Sequence, residues 1–152
     1  NNMRGIVEYS NQNPTKAMEY FLKAHEIIEQ YDLPKKIFQN SLNNIGIVYD
    51  QMSDRENATR YAVQLMEYQE KHKLKPLKTW PYDQLGENLK FYKKYKEALI
   101  YFQKTLDIET EANSLTGMAI SENRIGRVYD DLKQYKVAEN QNRRLFEIGE
   151  VS

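Results

Sequence analysis

Apolar residues recur along this chain at intervals of three and four, which is the spacing of one face of an α-helix. The segment from residue 14 to residue 30 shows the pattern clearly, with Ala17, Phe21, Ala24 and Ile28 on one face. Similar faces continue through the rest of the chain. No stretch of useful length alternates with the period of two that is typical of a strand. The pattern therefore predicts an all-α fold.

A longer period is superimposed on the helical one. Three glycines stand forty residues apart, and an alanine follows each of them by twelve residues. The pairs are Gly46 and Ala58, Gly86 and Ala98, and Gly126 and Ala138. A period of this size indicates stacked copies of one small unit. We expect a single array over residues 1–152, made of a truncated repeat at 1–31 and full repeats at 34–73, 76–111 and 114–150.

Each full repeat is predicted to be two antiparallel helices joined by a turn. In the fourth repeat this turn falls near Lys133 and Gln134. Ser53 and Glu56 have the spacing of a capping box, which predicts a helix start at Ser53. Pro81 would lie inside the first helix of its repeat, so we expect a kink or a late helix start there.

The recurring glycines need a steric reason, because a glycine inside a helix costs roughly 0.5–1 kcal/mol relative to alanine. We expect the glycine of the first helix and the alanine of the second to let the two paired helices approach closely. Larger side chains at these positions would overpack the contact.

Composition narrows the range of functions. Lys and Arg together number 22, as do Asp and Glu, so the formal net charge is zero and attraction to nucleic acid or anionic membranes is not expected. No apolar run approaches the roughly 18 residues that cross a bilayer. The chain has no cysteine, and His25 and His72 lie in separate repeats without metal-ligand spacing. No phosphate loop or nucleophile elbow is present. These observations predict no catalytic residue, metal or cofactor.

The repeated unit resembles the tetratricopeptide repeat, whose signature is W-x₂-L-G-x₂-Y … A-x₃-F. The residues that carry the resemblance are Leu42, Ile45, Gly46, Tyr49 and Ala58 in one unit, and Tyr82, Leu85, Gly86, Leu89, Ala98 and Phe102 in the next. The fourth unit departs from the signature, with Glu122 at the Trp position and Asn142 at the Phe position. The period is also longer than the usual value of about 34. The resemblance implies a right-handed α-solenoid of antiparallel helix pairs.

The long period and the sequence motif Leu-Asn-Asn-Ile-Gly-x-x-Tyr are similar to those of repeats in Bacteroidetes-type sensor histidine kinases and related regulators. The resemblance thus implies a non-catalytic module that binds a protein or peptide. It would be the sensor or interaction region of a bacterial signalling protein of the two-component type, in the cytoplasm or the periplasm. The chain begins inside the first repeat, so we interpret it as a fragment of a longer protein.

In such repeats the first helix of each pair lines a concave groove, so the resemblance implies a binding site at fixed offsets from each glycine. The twelve implied residues are Asn43, Asn44, Ile47, Asp50, Asp83, Gln84, Glu87, Lys90, Asn123, Arg124, Arg127 and Asp130. Amide side chains suit an extended peptide, because they both donate and accept hydrogen bonds. The alternative is a solvated polar face, which any amphipathic helix has. Trp80 is either an anchor at the groove edge or, as we favour, a packing residue beside Pro81.

Two other functions stay open at this point. The chain could be a structural segment that forms a homodimer through its exposed repeat ends, with the groove empty. It could also be a regulator similar to peptide-pheromone receptors. Direct membrane contact is not expected for either, and the residues do not identify the partner.

Overall fold

The computed structural model describes residues 13–76 and 78–151, and these residues form six helices joined by turns. The helices are α1 (Pro14–Gln30), α2 (Lys35–Gln51), α3 (Arg55–Lys71), α4 (Trp80–Phe91), α5 (Tyr95–Glu111) and α6 (Leu115–Val151). The described residues contain no strand, so the all-α prediction is confirmed. Within these residues, no helix combines the length and the apolar character needed to cross a membrane.

All five connections between the helices contain a residue with a positive φ, between 45° and 60°. These residues are Asp32, Ser53, Lys73, Lys93 and Asn113, and the last four recur every twenty residues. The amide that follows bonds back across the helix end, as the N–H of Asp54 does to the carbonyl of Tyr49 at 2.9 Å. This is the Schellman ending, which satisfies the last carbonyls of a helix. Between Ser53 and Asn113, a helix and its turn thus recur every twenty residues, which is half of the forty-residue period in the sequence.

Helix starts follow local side-chain chemistry. Asp54 caps α3 by accepting a hydrogen bond from the backbone N–H of Asn57 at 3.1 Å. The capping box predicted at Ser53 is wrong, because Ser53 occupies the positive-φ turn and Asp54, one residue later, is the cap. The late helix start is confirmed, because α4 begins at Trp80. Pro81 thus lies in the first turn, where its missing N–H has no helical partner to lose.

The described residues up to Asn88 form the first of two compact units. Its core lies where α1, α2 and α3 pack together, and the face predicted for α1 is confirmed because all four of its apolar residues are buried. A buried polar chain joins three helices: the Gln69 side-chain amide donates to Gln39 at 2.8 Å, and the Tyr82 hydroxyl donates to Gln69 at 3.3 Å. These bonds satisfy amide groups that would otherwise be costly to bury.

Residues from Leu89 onward form the second unit. The helix α5 packs on the first part of α6 around Ala98, Phe102 and Val128, all fully buried. The turn predicted near Lys133 and Gln134 is wrong, because α6 runs without interruption from Leu115 to Val151. Leu, Lys and Gln at this point are good helix formers. The division of the chain into repeats at 34–73, 76–111 and 114–150 stays a prediction.

The steric reason for Gly46 differs from the one predicted. A Cβ atom on Gly46 would overlap the six-membered ring of Trp80. The glycine therefore admits a side chain from α4, and α3, which was predicted to approach it closely, is not the nearest neighbour. At Gly126, in contrast, an added Cβ would meet no heavy atom within 4 Å.

Candidate functional site

Seven of the predicted groove residues belong to the first unit, where they lie on α2 and α4. Asn43 and Gln84 are buried, so their side chains contribute little surface. The other five keep accessible surface: Asn44, Ile47, Asp50, Asp83 and Glu87. The three ionisable residues among these five are all acidic.

Three buried polar atoms of the first unit have no hydrogen-bond partner among the described residues. They are the side-chain oxygen of Asn43, the hydroxyl oxygen of Thr59 and the indole nitrogen of Trp80. A buried polar group without a partner costs about 1–3 kcal/mol, so each atom would gain from a complementary group that reached it. The ring of Trp80 packs on Gly46, which favours the packing role expected for this residue over that of an exposed anchor.

The second unit brings three predicted residues together in an open depression of about 610 Å³ on one face of α6. It is lined by Leu115, Thr116, Ala119, Ile120, Asn123, Arg124 and Arg127. The other two predicted residues of this unit lie outside it. Lys90 is half-buried near the end of α4, and Asp130 is exposed and accepts a hydrogen bond from Gln134 at 3.3 Å.

The offsets from the glycines missed the apolar side of this depression. Ile120 and Thr116 stand three and seven residues before Asn123, so a helical wheel places them on the same face. Leu115 is an apolar residue at helical spacing, which indicates a core position, yet its side chain is exposed. The helical wheel contains the signal that could have found these residues. Toward the start of α6, apolar residues occupy the same face as the polar groove residues.

The depression on α6 favours an anionic group. Arg124 and Arg127 stand beside Asn123, and no acidic residue of the described part of the chain lines the same surface. A guanidinium group can donate two parallel hydrogen bonds to a carboxylate, which a lysine cannot do. The apolar side chains beside it would contact the body of a ligand. The arrangement therefore suits a chain that carries a carboxylate next to an apolar group.

A smaller depression of about 350 Å³ in the first unit is lined by residues of α1, α2 and α3 that include His25, Phe38 and Tyr68. The Nδ1 atom of His25 lies 2.9 Å from the hydroxyl of Ser41. Burial lowers the pKa of His25, and the nearby Glu29 carboxylate opposes this shift. Among the residues that the structure describes, no three or more His, Cys, Asp or Glu side chains are grouped so as to hold a metal ion. The ring of His25 packs against that of Phe38, with 5.1 Å between the centroids.

Comparison with known proteins bears on the fold. No protein-family model and no curated protein matches the chain. Among solved structures, it is similar to the crystal structure of the apo form of RapI, with a TM-score of 0.65 and 22% sequence identity. The fold is a tetratricopeptide-like helical repeat. The match covers 93% of this chain and 55% of the RapI chain, so this chain spans about half the length of RapI. At this identity the likeness shows the fold alone.

Proposed function

We propose that this chain is a non-catalytic module that binds a protein or peptide through the first helices of its helical repeats. The depression on α6 is the observation that carries the proposal. It places the donors of Arg124 and Arg127 beside the apolar side chain of Ile120 on one exposed helix face. Sites for small ligands and peptide segments combine an apolar surface with a few polar groups that fix orientation. The ligand we infer is an extended peptide with an acidic side chain or a free carboxylate.

The first unit supplies further support. Asn44 stands at a groove offset on α2 and keeps accessible surface. Its side-chain amide can both donate to and accept from the backbone of an extended peptide. Amides at these offsets are what a helical repeat needs to hold the backbone of an extended chain.

The finer part of the proposal concerns the biological setting. We infer that the module is the sensor or interaction region of a bacterial signalling protein of the two-component type. This inference is supported by the sequence from Leu42 to Tyr49, which resembles repeats of Bacteroidetes-type sensor kinases. A peptide regulator similar to pheromone receptors would use the same surface, so the binding experiment below applies to both settings.

A displayed peptide library is the probe for the groove. Peptides selected on the purified chain should be enriched in Asp, Glu or a free carboxyl terminus. We expect Arg127→Ala and Asn123→Ala to weaken binding of a selected peptide by about tenfold or more, because each removes a hydrogen bond to a charged or backbone group. Fluorescence polarisation measures the dissociation constants.

Arg143→Ala is the matched control, because Arg143 is also an exposed arginine of α6 but lies outside the depression. Its affinity for the same peptide should equal that of the unchanged chain. Equal losses in Arg127→Ala and Arg143→Ala would show that binding responds to net charge only, and would overturn the assignment of the site.

A further inference from the structure

The second half of α6 presents large apolar side chains to solvent. Leu145, Phe146 and Ile148 are 67%, 68% and 65% exposed. We call residues 134–149 the distal segment. Apart from Tyr135, whose ring centroid lies 5.8 Å from that of Tyr95 on α5, it lies beyond the part of α6 that packs on α5 around Val128. Helices with uncovered apolar faces are stabilised in proteins by packing that face against another element.

The repeat period identifies what such a face packs against. Subtracting eighty residues places Ala138, Leu145 and Ile148 of the distal segment at Ala58, Leu65 and Tyr68 of α3. Ala58 is 0% exposed and Leu65 is 1% exposed, because α3 folds back on α2. The ring of Tyr68 lies 4.3 Å from that of Phe38 on α2, measured between centroids. Phe38 has its own equivalent, Met118, in the first part of α6.

The turn that would bring these residues together is missing. Positive φ angles occur at Ser53, Lys73, Lys93 and Asn113, at twenty-residue intervals, and the next position in this series is Lys133. Lysine occupies two of the existing turns, so Lys133 is chemically compatible with a sixth. The chain is helical at Lys133 instead. Met118 and Ile148 are thus about 45 Å apart along one helix, at 1.5 Å per residue.

We propose that the distal segment packs on residues 115–130 of a second copy of this chain. The two copies exchange the helix that in the first unit folds back on its own partner. An extended helix cannot cover its own first half, but two copies related by a twofold axis each cover the other. Exchange of one element between identical chains is a low-cost route to a dimer, because it reuses contacts already encoded in the sequence.

The polar departures of the fourth repeat fit this exchange. Glu122 and Arg144 are the equivalents of Leu42 and Gln64, which line one depression of the first unit. The exchange would therefore bring a carboxylate and a guanidinium group together across the two copies. The contacting face of α6, with Met118, Glu122 and Tyr129, is opposite the face with Asn123 and Arg127. The groove stays open in the dimer, so the exchange does not depend on the proposed peptide binding.

The absence of cysteine makes the contact directly testable. Met118→Cys and Ile148→Cys are prepared as separate chains, mixed, and treated with a short bis-maleimide. We expect a covalent heterodimer whose cross-linked peptide joins positions 118 and 148. Met118→Cys mixed with Arg143→Cys is the control, because Arg143 lies on the opposite face of the distal segment, and it should give far less product. Equal yields, or no 118–148 product, would overturn the proposal.

The double variant Met118→Cys/Ile148→Cys distinguishes exchange from folding back within one chain. If two copies exchange the distal segment, we expect the double variant to form cross-linked dimers at every concentration where light scattering detects a dimer. A monomer with an internal 118–148 link would show that the hairpin closes on itself, and a chain that stays monomeric in scattering would equally exclude the exchange. A dimer without the 118–148 link would show that another surface is used.

Lys133 provides the second variant. Glycine adopts a positive φ without steric cost and weakens a helix interior, so Lys133→Gly should favour the turn and raise the dimer dissociation constant roughly tenfold. Lys133→Ala favours the helix and should leave that constant unchanged or lower it. Light scattering over a dilution series measures both. Identical constants for the two variants would exclude Lys133 as the point where extended and folded-back forms diverge.

Discussion

At the residue scale, Gly46 shows how the absence of one methyl group fixes a contact between two helices. The six-membered ring of Trp80 occupies the space that a Cβ atom would need. A helical glycine costs roughly 0.5–1 kcal/mol relative to alanine, and the burial of an indole ring against the backbone offsets that cost. The glycine at position 46 is thus explained by its contact with Trp80 on α4.

We expect Gly46→Ala to lower the free energy of unfolding by about 1–2 kcal/mol, because overpacking against Trp80 outweighs the gain in helix propensity. Gly126→Ala is the matched control. No heavy atom lies within 4 Å of its added Cβ, so it should raise the free energy of unfolding by about 0.5–1 kcal/mol. Urea unfolding followed by circular dichroism measures both. Shifts in the same direction would show that Trp80 is not what retains glycine at position 46.

His25 makes a pH-dependent contribution at the same scale. Burial lowers the pKa of His25 in the folded chain, whereas the unfolded chain has the usual value of about 6.5. The unfolded state therefore binds more protons as pH falls through this value, so the free energy of unfolding should decrease from about pH 7.5 toward pH 5.5. The loss is complete once the pH is below the folded-state pKa.

His25→Gln should flatten this pH dependence, because glutamine has no proton to gain. Urea unfolding at several pH values between about 5.5 and 7.5 measures the slope, in a range above the ordinary pKa of carboxylates. Parallel pH profiles for the two proteins would mean that another group is responsible.

At the element scale, the sequence predicts those helix boundaries that depend on local chemistry. The apolar face of α1 follows from spacing alone, and the late start of α4 follows from the geometry of Pro81. The positive φ at Ser53 and Lys93 has no such signal, because glycine is the usual residue there. Only the period of twenty, read from the structure, relates these turns to one another.

The course of α6 could not be predicted in the same way. Whether a chain turns at Lys133 depends on how much apolar surface the fold-back would bury, and this is a tertiary quantity. The preceding repeat has Leu99 and Phe102, where this one has Glu139 and Asn142. Because folding back would bury less apolar surface in this repeat, the helix-forming residues around Lys133 continue the helix.

The candidate site was predictable to a similar degree. Fixed offsets from the glycines found Asn123, Arg124 and Arg127, which the structure places in one depression. The same offsets gave Asn43 and Gln84, which are buried. The number of residues from the glycine determines which face of the helix a residue occupies. Whether that residue is buried depends on how the neighbouring elements pack on that face.

At the scale of the whole molecule, charge balance limits the partners. The chain has 22 basic and 22 acidic residues. Its exposed basic cluster at the start of α5, formed by Lys93, Lys94 and Lys96, lies beside Glu97 in one small depression. Lys93 is also close to an aromatic ring, with its Nζ atom 5.7 Å from the centroid of Tyr135. Proteins that bind nucleic acid need several lysines or arginines aligned along the phosphates, and this cluster does not extend into such a stripe.

We therefore expect the chain to leave a heparin column below about 0.2 M salt, because few counterions would be released on binding. Lys93→Glu/Lys94→Glu tests the cluster directly and should change the elution position little. Arg124→Glu/Arg127→Glu makes the same change in net charge at the proposed groove and is the matched control. If the unchanged chain is retained beyond that salt concentration and only the lysine variant loses this retention, the cluster at α5 is a polyanion site. Loss only in the arginine variant would place polyanion binding in the groove and argue against a peptide as its ligand.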